Sequence, residues 1–485
     1  MSLINNIIEI EQCLIAGAWL SSDNGRTLSV DNPATGKELG RVPDCGQAET
    51  ARAVAAAARV WPELRAMPAI ERCDMLWRWR ELVLESKEEL ARLMTQEQGK
   101  PLAEARGEIE YAASYLRWFA EEGRRLYGEV IPSPWRDRRI LATREPVGVV
   151  GVITPWNFPS AMLARKVAPA IAAGCPVVVK PARQTPFSAL ALAELGLRAG
   201  IPNGALSVIT GNARAIGAEL TSNPTVRKVS FTGSTEIGKL LLAQCASTVK
   251  QVSMELGGNA PFLIFNDADL DKAVKDGLAS KYRNSGQTCI CVNRFYVQAD
   301  AYEAFVAKLA DAVSALRVGD GLTEGVNQGP LIDDKAVARV TEMIDDARQK
   351  GGRLVCGGKP HALGGNFFEP TVVADARQDM LVASQEIFGP VAPVFRFETE
   401  AEAIACANAA ETGLAAYVYT KDLGRAWRVS EALEYGMVGV NESLVSTCEA
   451  PFGGVKESGL GREGARIGLE EYTTVKYTCM GGLGV

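Results

Sequence analysis

The chain has a single histidine in 485 residues. That imidazole, His361, lies in Gly357-Gly358-Lys359-Pro360-His361-Ala362-Leu363-Gly364-Gly365, a loop-like run with no catalytic residue type beside it. Ser-His dyads, Cys-His dyads and histidine-rich metal sites are therefore poor hypotheses, and no metal is expected. Long apolar runs are also missing: 147–153 and 177–179 are far too short to span a bilayer. There is no excess of basic residues, since 52 Lys and Arg face 58 Asp and Glu for a net charge of -6. Neither nucleic acid nor an anionic membrane is expected as a partner. Residues 1–11 hold no basic segment leading into an apolar run, so no secretory signal is expected. Eleven cysteines without such a signal read as reduced thiols in a cytosol, which makes the expected location cytoplasmic. Low-complexity linkers and short-period repeats are absent too. What remains is an ordinary globular composition, 47% hydrophobic and 23% charged, in a chain long enough for roughly two to four domains.

Helical spacing runs through 47–61 and 68–123, so the opening third reads as helices packed on something else. Two extended stretches, 129–133 and 138–144, flank Pro134-Trp135-Arg136-Asp137. They predict a hairpin able to pair edge to edge with another chain. A regular alternation follows, with β-branched strands at 149–154, 177–180, 205–210, 228–233 and 251–255, and helical patterns at 162–173, 188–199 and 236–246. This predicts a parallel sheet with right-handed crossovers and ligands at the carboxyl ends of its strands. The alternation is repeated from 261 to about 439, and a short strand at 472–477 could join the hairpin.

The predicted strand ends carry most of the chemistry. In Thr154-Pro155-Trp156-Asn157-Phe158-Pro159, two prolines stiffen the turn, so that Asn157 can offer its amide to a developing oxyanion. In Val179-Lys180-Pro181-Ala182-Arg183, two cations close a strand where the ribose of a dinucleotide would lie, and Arg183 could take a 2′-phosphate. Phe231-Thr232-Gly233-Ser234-Thr235 joins strand, turn and helix start, a geometry that presents backbone N–H groups to a phosphate. Gly233, Gly238 and Lys239 have P-loop spacing, but Leu240 stands where a magnesium-binding hydroxyl is needed. A literal GxGxxG at Gly459-Leu460-Gly461-Arg462-Glu463-Gly464 has no strand leading into it and reads as a structural glycine loop. Ser253-Met254-Glu255-Leu256-Gly257-Gly258 ends a strand on a carboxylate, and partial burial there would bring Glu255 toward a general base's range. Glu386-Ile387-Phe388-Gly389-Pro390 is a rigid turn able to hold a ribose and the ring beside it. Finally, Gly286-Gln287-Thr288-Cys289 can present a sulfur to a cleft. A free cysteine is more often a buried, inert thiol, so it is the surrounding motifs that favour a nucleophile.

Taken together and in this order, these motifs resemble the aldehyde dehydrogenase superfamily over nearly the whole chain. Within it the sequence is most similar to bacterial succinate-semialdehyde dehydrogenases, through Lys281-Tyr282-Arg283-Asn284, the Cys289 and Cys291 pair, and Pro451-Phe452-Gly453-Gly454-Val455-Lys456. The resemblance implies an α/β fold with two Rossmann-like parallel-sheet domains and a small β bridging domain that makes dimers or tetramers. Its expected boundaries are 1–124 and 144–255 with 447–467 for the cofactor domain, 256–446 for the catalytic domain, and 125–143 with 468–485 for oligomerisation. It also implies that Cys289 attacks the aldehyde, that Asn157 and the Cys289 N–H hold the oxyanion, and that Glu255 activates the water that hydrolyses the thioester. Cofactor contacts carry over onto Trp156, Lys180, Gly233, Ser234, Leu256, Glu386 and Phe388. Members that prefer NAD usually have Glu where Arg183 stands, so NADP is the expected cofactor, with NAD as the alternative.

Arg165, Arg283 and Ser446 fall where such enzymes bind the distal carboxylate of the substrate, and two guanidiniums with a hydroxyl suit that group. The expected substrate is therefore a small aldehyde bearing a carboxylate. Glutarate semialdehyde differs from succinate semialdehyde by one methylene, about 0.8 kcal/mol of burial, and both stay open, as does an uncharged aliphatic aldehyde. Ser443 and Cys448 depart from the commoner pattern of the loop at 441–449. A disulfide between Cys291 and Cys289 is a possible redox switch. The rivals from other classes are a nucleoside-triphosphate hydrolase, which rests only on the near P-loop, and a catalytically silent scaffold, which leaves Cys289, Glu255 and Asn157 unexplained.

Overall fold

The structure is a computed structural model that describes residues 11–483; the first ten residues of the region read for a leader segment, and the last two of the tail, lie outside it. Strand Val149–Ile153, sequence VVGVI, is almost wholly buried, as a strand covered on both faces of a parallel sheet must be. It sits near the middle of an eight-stranded sheet. The order runs Ala18–Leu20, Cys13–Ile15, Leu206–Val208, Val177–Lys180, Val149–Ile153, Val226–Thr232, Gln251–Glu255, Gly459–Leu460. The five central strands are parallel, and the edges are antiparallel. Chain order reverses between Val149–Ile153 and Val226–Thr232, which opens a crevice at their carboxyl ends, the usual place for a ligand in an open α/β sheet.

Helix Pro159–Ala173 leaves that crevice and is buried along its whole length. Proline at its first position suits a helix start, and Gly174 ends it in the left-handed conformation at φ 92°. A second sheet of seven strands carries the rest of the chain, in the order Arg353–Cys356, Thr371–Ala374, Val391–Phe397, Val292–Gln298, Ala260–Ile264, Ala415–Tyr419, Met437–Val440. It is parallel apart from its first strand. The expected hairpin is present as Glu129–Ile131 and Arg139–Pro146, and strand Thr473–Met480 joins it in a three-stranded antiparallel sheet.

One expectation needs correcting. The opening third is not purely helical, because the ribbons Cys13–Ile15 with Ala18–Leu20 and Thr27–Asp31 with Glu38–Pro43 precede the first described helix. These strands are three to six residues long and pair mostly as local ribbons, with one bridge from Leu14 to Val208; segments this short carry too little alternation to announce themselves. Among the described residues no helix is long and apolar enough to cross a membrane.

Candidate active site

Cys289 follows a backbone segment that few sequences adopt. Asn284, Ser285 and Gly286 are consecutive left-handed residues with φ of 52°, 57° and 74°. A side chain at Gly286 would collide with the Gly389 carbonyl. Such strain, of order 1–3 kcal/mol per non-glycine residue, persists only where the surroundings over-determine it. Here they do: Asn284 N–H donates to Glu104 Oε2 at 2.8 Å, Ser285 Oγ donates to the Gly329 carbonyl at 2.8 Å, and Gln287 Oε1 accepts from Ile332 N at 2.9 Å. The result sets Cys289 on the boundary between two cavities.

The first cavity, about 320 Å³, lies at the crevice of the eight-stranded sheet. Trp156, Asn157, Gly233, Ser234, Leu256, Glu386 and Phe388 line it together with Glu255 and Cys289. Helix Thr235–Ala246 starts there on Ser234 with no side-chain cap, which leaves its first N–H groups for an anion. The Trp156 and Phe388 rings meet edge to face at 5.6 Å. Burial pushes the Glu386 carboxyl up to about 7. Lys180 and Arg183 do not line this cavity. Burial pushes the Lys180 ammonium, at the end of the neighbouring strand, down to about 8, whereas Arg183 is exposed on the loop beyond. An uncapped helix start and an aromatic corner fit a dinucleotide. The near P-loop is set aside by geometry: Leu240 is 52% exposed, and Lys239 reaches Glu457 at 2.6 Å.

The second cavity, about 310 Å³, is bordered by Arg165, Arg283, Ser446, Phe452 and Cys289. Arg165 is buried, its guanidinium carbon 3.9 Å from the centre of the Phe452 ring. Its Nε lies 2.5 Å from Glu463 Oε2 as an ion pair, while Nη2 has no hydrogen-bond partner. Arg283 Nε is likewise buried and unpartnered. Both guanidiniums border this cavity, and buried donors without partners are costly, which fits an anionic substrate group. Ser446 Oγ is hydrogen-bonded to the Tyr111 hydroxyl. Cys448 is buried and is not part of either wall, and Ser443 Oγ donates to the Asp276 carbonyl at 3.1 Å.

Glu255 is buried and neither carboxylate oxygen has a hydrogen-bond partner. Burial first, and the charge of Glu463 second, hold its carboxyl well above the usual carboxylate range. Burial also pushes the Cys289 thiol up to about 12, with the Glu386 carboxylate adding to the effect. Asn157 Nδ2 donates to the Gln287 carbonyl at 3.0 Å, two residues before Cys289. Cys291 Sγ donates to the Gly286 carbonyl at 3.3 Å and lies 3.9 Å from the buried Lys281 Nζ.

Glu463 was missed as a site residue because its glycine-rich surroundings read as a structural loop. Burial alone would push its carboxyl up, but Lys166, then Arg165, outweigh that and hold it below the ordinary range. A signal was available: Arg165 and Lys166 are adjacent cations in an otherwise apolar helix, a pairing that demands a buried carboxylate. Among the described residues no cluster of His, Cys, Asp and Glu is arranged to hold a metal ion.

A thiol, a buried free carboxylate and an amide gathered at the junction of a dinucleotide-type crevice and an anion pocket define a class of aldehyde-oxidising protein. The sequence pattern of the Aldehyde dehydrogenase family matches residues 19–478, and the chain belongs to that family. It is 60% identical to glutarate-semialdehyde dehydrogenase of Pseudomonas aeruginosa, covering 98% of each chain. It is 58% identical to succinate-semialdehyde dehydrogenase [NADP(+)] GabD of Escherichia coli, covering 99% of this chain and 100% of that one. The crystal structure of succinate-semialdehyde dehydrogenase from Burkholderia pseudomallei superposes with a TM-score of 0.97 at 57% identity, covering 98% of both chains.

Proposed function

We propose that this aldehyde dehydrogenase oxidises succinate semialdehyde to succinate with NADP or NAD, NADP being preferred. The observation that carries the reading is the position of Cys289 on the boundary of both cavities, with two arginines bordering one and an uncapped helix start in the other. Arg165, Arg283 and Ser446 hold the carboxylate, which points the aldehyde carbon toward Cys289 Sγ. A thiol held near 12 needs a proton acceptor in reach before it attacks, and Glu255 borders the same cavity with both oxygens free. Asn157 Nδ2 and the Cys289 N–H stabilise the oxyanion that forms as sulfur adds to carbon. When bound, the nicotinamide of the dinucleotide supplies the hydride acceptor. Trp156, Lys180, Gly233, Ser234, Leu256, Glu386 and Phe388 hold the dinucleotide, and Arg183 takes the 2′-phosphate. Once Glu255 has released the thiol's proton to solvent, it draws a proton from the water that hydrolyses the thioester on Cys289, a step made easier by its raised affinity for protons.

Glutarate semialdehyde is the second reading, favoured by the 60% identity to the Pseudomonas enzyme. The proposed organisation keeps a cofactor domain, a catalytic domain and an oligomerisation domain at the boundaries expected from sequence. Val130, Val475 and Tyr477, which are 76%, 60% and 61% exposed, lie on the three-stranded sheet and would bury against a second copy of the chain as a dimer or tetramer. Eleven free thiols suit a reducing compartment such as the cytoplasm.

The test is absorbance at 340 nm with succinate semialdehyde, glutarate semialdehyde and butanal, each with NADP and NAD. Preference for a semialdehyde with NADP supports the arginine pocket and Arg183 together. Preference for butanal rejects the carboxylate site, and no reduction with any pair in reducing buffer rejects the enzyme.

A further inference from the structure

Helix Leu102–Glu122 carries two glutamates one turn apart, and each reaches a different loop of the site. Glu104 Oε2 accepts from Asn284 N in the left-handed segment before Cys289, at 2.8 Å. Glu108 Oε1 accepts from Ser160 N and Ala161 N at 2.9 and 3.2 Å, and its Oε2 lies 2.5 Å from Lys100 Nζ. Lys100 is only 2% exposed. Its Nζ also donates to the Asn157 carbonyl at 2.8 Å and sits 3.9 Å from the centre of the Phe158 ring. Asn284 Nδ2 donates to the same carbonyl at 3.0 Å. The Asn157 carbonyl thus accepts from Lys100 and from Asn284 of the nucleophile loop, while Glu108 holds both Lys100 and the helix start just beyond.

A buried ion pair is weak evidence of a stability device, because well-packed apolar residues often serve as well or better. What the pair holds is more informative, since both of its free valences end on the turn that aims Asn157. We propose that Lys100 and Glu108 are positioning residues for Asn157, fixing its amide relative to the Cys289 loop. This rests on the reading of Asn157 as oxyanion donor and Cys289 as nucleophile. A displaced donor stabilises the oxyanion less, so the pair acts on the first chemical step and leaves dinucleotide binding unchanged.

The experiment measures the pre-steady-state rise at 340 nm with NADP and succinate semialdehyde in Lys100→Met and Glu108→Gln, each alone and combined with Asn157→Ala. Glu108→Gln keeps an acceptor for Ser160 and Ala161 and carries the prediction if Lys100→Met fails to fold. The expected slowing is roughly 10- to 100-fold in each single variant, below the loss of about 10²–10³ for removing an oxyanion donor outright. The KM for NADP stays within about 2-fold, and the further loss in the Asn157→Ala background is under about 3-fold. Equal slowing in both backgrounds, or no slowing, overturns the positioning role. Activity in Cys289→Ala, or a full rate in Asn157→Ala, overturns the site assignment itself, and the clamp with it.

Discussion

Arg283→Met separates substrate recognition from chemistry. Arg283 lies on the wall of the anion cavity with Nε buried and unpartnered, and its guanidinium carbon is 5.3 Å from the centre of the Phe158 ring. Methionine keeps an unbranched, adaptable stem against that ring, so the loss is confined to charge and hydrogen bonding. A hydrogen bond to a charged group contributes about 1.5–3 kcal/mol, and each 1.4 kcal/mol is a factor of ten. The variant should therefore lose about 10- to 150-fold in kcat/KM for succinate semialdehyde. Butanal has no carboxylate, and its kcat/KM should change by less than about 2-fold. Both are read from initial rates at 340 nm with saturating NADP. An equal loss for the two aldehydes would mean that Arg283 supports the fold or the nucleophile loop, and an undiminished rate with the semialdehyde would mean that the carboxylate binds elsewhere. Either result refutes the anion pocket.

Other changes test other parts of the site. Glu463→Gln removes a negative charge that burdens Glu255 and frees Lys166 and Arg165 to favour the Glu255 carboxylate. Both effects lower its pKa, so the limb of the kcat–pH profile that rises as Glu255 loses its proton should move to lower pH; an unmoved limb, or one moved upward, contradicts the coupling. Arg183→Glu should cut kcat/KM for NADP by about 10-fold or more through lost pairing and added repulsion, and spare NAD; an unchanged ratio of the two would place the 2′-phosphate elsewhere. Peroxide treatment followed by dithiothreitol should restore wild-type activity, through a disulfide between Cys289 and Cys291, better than that of Cys291→Ala. Equal recovery would reject the switch.

The five parallel strands of the eight-stranded sheet were legible because they are short apolar runs, β-branched in Val149–Ile153, and because polar motifs punctuate their ends. Burial on both faces writes itself into composition. Glu255 and Asn157 were legible as candidates because each lies at such a punctuation, and Cys289 because a Gly-Gln-Thr lead-in precedes it. For Glu463 the adjacent cations Arg165 and Lys166 announced only that some buried carboxylate was needed; which one is decided by the fold, because the partners are remote in sequence. Lys100 and Glu108 were hidden inside a stretch read as ordinary helix, because the groups they hold, at Asn157 and Ser160, are remote in sequence. The N-terminal ribbons show the limit from the other side: a strand such as Cys13–Ile15 has its partners at Ala18–Leu20 and Val208, and three residues carry too little pattern to announce it.

The left-handed run from Asn284 to Gly286 also bears on how the enzyme comes into being. Its restraints arrive from Glu104, Asn157 and Gly329, with Ile332 bonded to Gln287 just beyond the run, segments that lie far from it in the sequence. A chain with its sheets assembled can therefore still lack a working nucleophile. Loop-closure entropy delays contacts between distant segments, so catalytic competence is expected late in folding. In mild denaturant it is correspondingly an early loss, one that precedes any change in secondary structure.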